Sequence, residues 1–520
     1  MLKDAPDAVA APQVLALRDG HRCTRAAGDV GDSARRARRA VPKLPLSDRN
    51  GMVGPIRLRL QRMMNSSVIK GVVLESPLAT AAYRAGARAR AGAYAAFGQR
   101  WKAVSAEFRA LRASGASEHS ASVMRAARAQ LDWGCRNADG QLVNARSNKW
   151  LAEFLETREA RTLRSPFEAW PDHHRVRMRQ PNDENPQRQG DLILLKRYNR
   201  ATGEKGVIVL KYTESLWRFP AVFDLAALAS RYAFVLEPSS WGYEDPGFFL
   251  YVGADVDAVV ESPWRRDYEF ITQLGSNLQA VRIGAGDWVD PRIFSSDRLA
   301  RERRFDVVAV SAWSVLKRHE DLFRAVATLK AVGRELQIAL IGYPMDWTQD
   351  RIRQLARKYG IEHLCTIYED VPHSVVADVV GDSRLYVLMS RREGANKALY
   401  EALWCNTPVA VIESHRGVNT DIVRGDVGTL YDAEGLAAAI IRVLDDPLRY
   451  HARQWAERNT GYRNSTAALN LTLKRLSEAR ELPWTEDIAE KINAPEMLYA
   501  NPRDVEGFAE EYESLRAFLR

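Results

Sequence analysis

The chain has 520 residues, 46% apolar and 27% charged, with a formal net charge of +9. That is too long for one ordinary core and too apolar for wholesale disorder, so two to four domains are expected. Cys23, Cys135, Cys365 and Cys405 lie far apart without C-x-x-C spacing, which excludes a disulfide scaffold and a zinc ribbon and fits a reducing compartment.

The start, MLKDAPDAVAAPQ, lacks the basic-then-apolar order of a signal peptide, and no apolar run approaches the roughly 18–20 residues that span a bilayer. A cytoplasmic location is expected. The positive charge belongs to the N-terminal part. Residues 1–200 hold 36 Lys+Arg against 19 Asp+Glu, and the rest holds 39 against 47. A protein that coats nucleic acid is more often basic on its folded core, so no nucleic-acid partner is expected.

In chain order, residues 1–54 are rich in Ala, Arg, Asp and Gly with a basic cluster at Arg35, Arg36, Arg38 and Arg39. They read as disordered, or as an extension ahead of a true start at Met52. Residues 55–165 have the Ala/Arg content and apolar spacing of a basic helical extension. Two roles stay open for it: a flank packed on the main body, and an Arg-rich amphipathic surface for an anionic membrane at the inner face. Residues 166–190 are Pro-rich and polar, a linker that includes His173 and His174.

Strands then alternate with helices over 191–284. The expected strands begin at Asp191, Gly206, Ala233, Phe248 and Leu278, with one helix over 219–232 and another over 267–278. A Gly/Pro-containing hinge follows at 285–304. A second and cleaner series fills 305–446. Its strands begin at Phe305, Leu336, Cys365, Leu385, Pro408 and Gly428; its helices begin at His319, Gln349, Ser374, Asn396 and Ala433. Short apolar strands alternating with amphipathic helices imply parallel sheets covered on both faces. The expected fold is therefore α/β, with two Rossmann-like domains facing a cleft behind the basic helical extension. Residues 447–520 read as C-terminal helices that could cross back to the first domain.

The segment SRREGANKALYEAL, 390–403, follows a strand and opens a helix. In an open α/β sheet, ligands bind at that end. Gly394 lets backbone approach a ligand, and the first helical amides near Ala395, Asn396 and Lys397 make an anion site suited to a diphosphate. Glu393 could then reach the sugar end of a nucleotide sugar while Glu401 accepts from ribose hydroxyls. Taken singly, each carboxylate could equally be a helix cap or a solvated acid.

The E-x7-E spacing, followed by TPVAVI at 407–412, resembles the retaining glycosyltransferases of family 4, whose usual form is close to E-G-F-G-x-x-x-x-E-A-x-x-x-G-x-P-V. The resemblance extends to SAWSVLKRHEDL at 311–322, GDWVDPRIF at 286–294, SHRGVNTDI at 414–422 and GDVGTLY at 425–431, and so covers about 280–445. It implies the two-domain GT-B fold and a nucleoside diphosphate sugar as co-substrate, without another cofactor. The acceptor would be a carbohydrate or lipid-linked hydroxyl, as in polysaccharide or glycolipid biosynthesis. By the same resemblance, the diphosphate-contacting role would fall to Lys317.

Two positions depart from the pattern. Ala312 stands where an Arg commonly lies, so Arg318 or Lys397 would have to supply that charge; Asn396 replaces the second Gly. No His lies between His174 and His319, so the first domain lacks the His that many family members place near the reacting carbon. Acceptor contacts are sought instead in Glu214 and in the aromatic, acidic loop with Trp241, Tyr243 and Asp245. No metal site is expected, because Asp255 and Asp257, the one D-x-D of interest, lie in the first domain. Two rivals remain: a nucleotide-sugar epimerase or hydrolase of the same fold, and a non-catalytic membrane-associated adaptor.

Overall fold

The computed structural model describes residues 77–112, 116–164, 188–189, 192–238, 245–296, 298–494 and 496–520, all within one unit of the chain. The expectations for 1–54, for His173 and His174, and for Trp241 and Tyr243 lie outside the described residues.

The apolar runs of the first series form a five-stranded sheet: β1 (Leu192–Lys196), β2 (Gly206–Lys211), β3 (Tyr232–Glu237), β4 (Ala258–Glu261) and β5 (Leu278–Val281). The strands lie side by side in chain order. β2 to β5 are parallel, but β1 runs antiparallel to β2, which corrects the all-parallel expectation. The connection over 197–205 is a short hairpin, and a parallel pair needs a crossover of a dozen residues or more.

The run from Phe248 is also not a strand. Pro246–Tyr251 is a 3-10 helix with Asp245 as its N-cap, and every one of its residues is buried. A segment buried on all sides carries no period that separates strand from helix; the strand is β4, ten residues later. The single helix expected over 219–232 is instead two, Thr213–Val222 with Pro220 inside it and Leu225–Leu228 capped by Asp224.

The basic extension supplies the helices Pro77–Ala96, Arg100–Arg112, Ala116–Cys135, Lys149–Leu155 and Arg158–Arg164. Val104, Phe108, Leu131, Trp150 and Phe154 share one apolar core with β1–β5, and Trp150 stacks on Phe249 at 5.5 Å.

The second series matches expectation element by element. Its strands are β6 (Val307–Val310), β7 (Ile338–Gly342), β8 (Cys365–Glu369), β9 (Tyr386–Leu388), β10 (Val409–Ile412) and β11 (Gly428–Tyr431). They form one parallel sheet in the order β11-β10-β9-β6-β7-β8. This is the doubly wound order, which reverses between β6 and β9, and a crevice opens at such a reversal. The first sheet has no reversal of this kind.

Two chain segments join the domains. The hinge lies against the start of a tail helix: Gly461 and Tyr462 donate their amides to Asp287 O and Val289 O at 2.9 and 3.0 Å, ahead of the helix Tyr462–Glu478. Beyond that helix the tail is not purely helical. It forms a hairpin, β12 (Lys491–Ala494) and β13 (Glu496–Tyr499), which pairs with Arg188–Gln189 from the segment expected to be a linker. The tail then packs on the first sheet. The Leu194 amide donates to Tyr512 Oη at 3.0 Å, and Tyr499 Oη donates to Leu194 O at 2.7 Å.

Where hinge and tail meet, ionisable groups are buried. Glu237 and Glu261, the last residues of β3 and β4, and Lys491 are fully buried. Lys491 Nζ donates to Glu237 Oε2 at 2.5 Å and to Asn493 Oδ1 at 3.2 Å, and lies 3.8 Å from the Trp288 ring centroid. Glu261 accepts from Trp288 Nε1 at 3.2 Å; burial, and then the Glu237 charge, push its carboxyl well above the usual range.

Asp287, on the hinge, accepts from the Gly284 amide and Thr460 Oγ1. Burial nevertheless drives its carboxyl up to about 7, against those two hydrogen bonds. The folded state therefore favours protonated Asp287. That stability is fully present below the ordinary Asp range near 3.8 and is lost as pH rises through about 7. Over this window Asp287 should lower stability by up to about 1.4 kcal/mol per pH unit. Denaturant melts from pH 5 to 8 should show the wild type losing stability relative to Asp287→Asn; parallel curves would refute the buried acid.

Candidate active site

The loop after β6 and the loop after β9 meet at the reversal of the second sheet. The first is held rigidly. Ser314 Oγ accepts from the Leu316 amide and donates to Asp346 at 2.7 Å, and Trp313 Nε1 donates to Glu369 at 2.8 Å. His319 is buried at the start of the next helix, with Nε2 3.2 Å from Ser311 Oγ. Arg318 adopts the left-handed conformation, φ 55°, as the chain turns into that helix. This geometry delivers the Lys317 ammonium to Glu393, with Nζ to Oε1 at 2.5 Å.

Burial works to raise the Glu393 carboxyl, but the Lys317 charge and hydrogen bond outweigh it and hold it below the usual carboxylate range. Glu393 is therefore an anion at neutral pH.

The loop carrying Glu393 is clamped by the segment after β10. The Glu393 amide donates to Arg416 O at 3.0 Å, and the Arg416 amide donates to Arg391 O at 3.0 Å. Gly417, at φ +100°, lies so close that a Cβ there would fall 1.7 Å from Glu393 O; any side chain would push the two loops apart. From the hinge side, a Cβ on Gly286 would meet the Tyr400 ring at 2.9 Å. The hinge thus rests on the helix Lys397–Trp404 that opens behind Glu393.

That helix is capped by Asn396, whose Oδ1 accepts from the Leu399 amide at 2.8 Å and from Tyr386 Oη at 3.1 Å. The cap consumes one of the amide donors of the first turn, so the amides expected to meet an anion reduce to those ahead of Leu399, with Gly394 and Ala395 before them. Lys397 Nζ lies 2.8 Å from Glu401 Oε1 and Glu401 is buried. Arg318 Nε bonds Asp321 Oδ2 at 2.6 Å. Each of the three cations expected at the diphosphate (Lys317, Arg318 and Lys397) is thus matched by a carboxylate.

The expected acceptor residues are not gathered at this point. Glu214 is exposed in the first turn of the helix after β2. Asp245 Oδ1 accepts from Trp217 Nε1 and the Gly247 amide as a cap. Glu237, at the start of the loop expected to meet the acceptor, is sealed against Lys491. Asp255 and Asp257 are likewise engaged, Asp255 by the Ala145 amide and Asp257 by Lys205 and Arg480. Sequence reasoning did not single out His415, which is buried next to the clamp. Its only signal was its place in the loop matched after the E-x7-E helix.

Residues 292–461 match the family model described as glycosyl transferases group 1. A curated relative, D-inositol 3-phosphate glycosyltransferase 1 of Catenulispora acidiphila, is 33% identical over 147 residues, which is 26% of this chain and 35% of the relative. The chain thus spans about a third of that relative's length. Among solved structures, sucrose-phosphate synthase from Thermosynechococcus elongatus aligns over 53% of this chain and 74% of its own, at 19% identity and a TM-score of 0.41. Anabaena HepE in complex with UDP-glucose aligns over 52% and 78%, at 13% identity and a TM-score of 0.40.

Proposed function

We propose that this chain, whose residues 292–461 match the model of glycosyl transferases group 1, is a retaining glycosyltransferase that moves a hexose from a nucleoside diphosphate sugar to an acceptor hydroxyl. The observation that carries this reading is the Lys317–Glu393 pair at 2.5 Å, set where the second sheet reverses and at the mouth of a helix. An ammonium beside helix-end amides is suited to charge that develops on a departing diphosphate.

In this mechanism Lys317 turns from Glu393 to the diphosphate, and Glu393 takes hydroxyls of the transferred sugar. Glu401 lies one and a half turns along the helix, toward the ribose. The bond from the anomeric carbon to the phosphate oxygen breaks while the acceptor oxygen bonds to the same face. The acceptor proton passes to the departing phosphate oxygen, so no His base is required. Neither a metal nor a further cofactor takes part, a reading supported by the engagement of Asp255 and Asp257 elsewhere.

The acceptor is a carbohydrate or lipid-linked hydroxyl of polysaccharide or glycolipid synthesis at the cytoplasmic face. The helix Pro77–Ala96 supports an anionic surface nearby: it carries Arg84, Arg88 and Arg90 without an acidic residue, with Leu78 84% exposed in its first turn and Phe97 79% exposed just beyond its end.

A thermal-shift screen of UDP-, GDP- and ADP-sugars tests the donor. A binding sugar nucleotide at 100 times its Kd should stabilise the protein by about 2.7 kcal/mol, and the nucleotide that does so names the donor. If none of the three classes shifts the melt, the reading fails. Release of free sugar or an epimer without an acceptor would move the assignment to a hydrolase or epimerase.

A further inference from the structure

His415 follows β10 and directly precedes Arg416, whose carbonyl holds the Glu393 amide. It is 3% exposed. Its Nδ1 accepts from the Val418 amide at 3.3 Å, which leaves the ring proton of the neutral imidazole on Nε2. Nε2 has no hydrogen-bond partner among the described residues. A buried donor without an acceptor is costly, so its retention one residue from the carbonyl that holds the Glu393 amide calls for a use.

Burial keeps the ring neutral, with its pKa lowered to about 4. The charges that act on it are Glu393 and Lys317, which pull in opposite directions. The ring is therefore a donor that adds no charge and does not compete with an ammonium for a phosphate.

We propose that His415 is the positioning residue for Glu393: its Nε2–H takes up the Glu393 carboxylate when Lys317 leaves it for the donor diphosphate, and so keeps the carboxylate aimed at the sugar. The proposal rests on the glycosyltransferase reading for its purpose but not for its geometry. When Lys317 departs, a carboxylate whose side chain is only 12% exposed loses its counter-ion, and a poorly solvated charge left without one would turn away or take up a proton. A fixed neutral donor at the neighbouring loop prevents both. The clamp through Arg416 and Gly417 keeps the two loops in step.

The first test needs no ligand. In full-length protein labelled with 15N-histidine, Lys317→Ala should move the His415 Nε2–H resonance downfield, and Lys317→Ala/Glu393→Gln should move it markedly less. An unmoved resonance in Lys317→Ala overturns the proposal and leaves the glycosyltransferase reading standing.

The second test is kinetic, with the sugar nucleotide identified by thermal shift. His415→Ala and His415→Asn should lower kcat at least tenfold with affinity for the matching nucleoside diphosphate within twofold of wild type. His415→Gln, which returns an N–H near the Nε2 position, should recover to within about threefold. Loss of nucleoside diphosphate affinity in step with kcat, or no rescue by glutamine, would reduce His415 to packing and overturn the role.

Discussion

Replacing Lys317 with alanine, or Glu393 with glutamine, should each lower turnover at least tenfold, about 1.4 kcal/mol on the barrier. The two losses should differ in kind. Lys317→Ala removes the ammonium that balances the departing diphosphate, so affinity for the nucleoside diphosphate and turnover should both fall. Glu393→Gln removes the carboxylate that engages Lys317 at 2.5 Å, so the ammonium no longer has to be drawn from a partner. Affinity for the nucleoside diphosphate should be held or improved while kcat falls. Calorimetric titration with the diphosphate beside steady-state kinetics separates the cases. Near-normal turnover in both variants would remove the pair from the active site.

The largest expected effect on stability lies elsewhere. Lys491→Ala leaves Glu237 fully buried with, among the described residues, only Asn493 Nδ2 as side-chain donor, at 3.0 Å, beside the Glu261 carboxyl. Breaking a buried pair from one side typically costs about 3–5 kcal/mol, whereas replacing both partners with neutral groups of similar volume costs little or even stabilises. Lys491→Ala should therefore destabilise by at least about 3 kcal/mol. The double variant Lys491→Met/Glu237→Gln should recover most of that loss, as read from urea melts. Equal loss in the single and double variants would mean that packing, not charge, holds the hairpin in place.

The second domain was legible because its local signals agree. β6, β7, β9 and β10 are short apolar runs, each next to a helix in the chain, and the E-x7-E segment marks its own place at a strand-to-helix turn. The first domain hid more. The run from Phe248 is apolar throughout and offers no period, so it read as a strand although Pro246 and Asp245 start a 3-10 turn there. The reversal of β1 was implicit in a connection too short for a crossover, a signal present but not used. At the site, the spacing of the carboxylates brought Glu393 forward and the family resemblance brought Lys317, but neither could show that the two would pair. Nor could spacing reveal Lys491: a lysine in a tail reads as solvated, and only tertiary structure carries it onto the ends of β3 and β4. His415 was hidden for a related reason, since its meaning lies in which of its nitrogens is already used.

The tail has a consequence for how the molecule is made. Apolar side chains at Leu515 and Phe518 belong to the core of β1–β5, and the Asp224 amide donates to Phe518 O at 2.7 Å. Of the two sheets, the one translated first is thus completed by residues 491–518, which are translated after the second. Residues 305–446, uninterrupted in the chain, can settle early, while the half translated before them waits for its closing piece. Nascent chains stalled shortly before Lys491 should therefore carry a protease-resistant second half and a first half that is still readily cut.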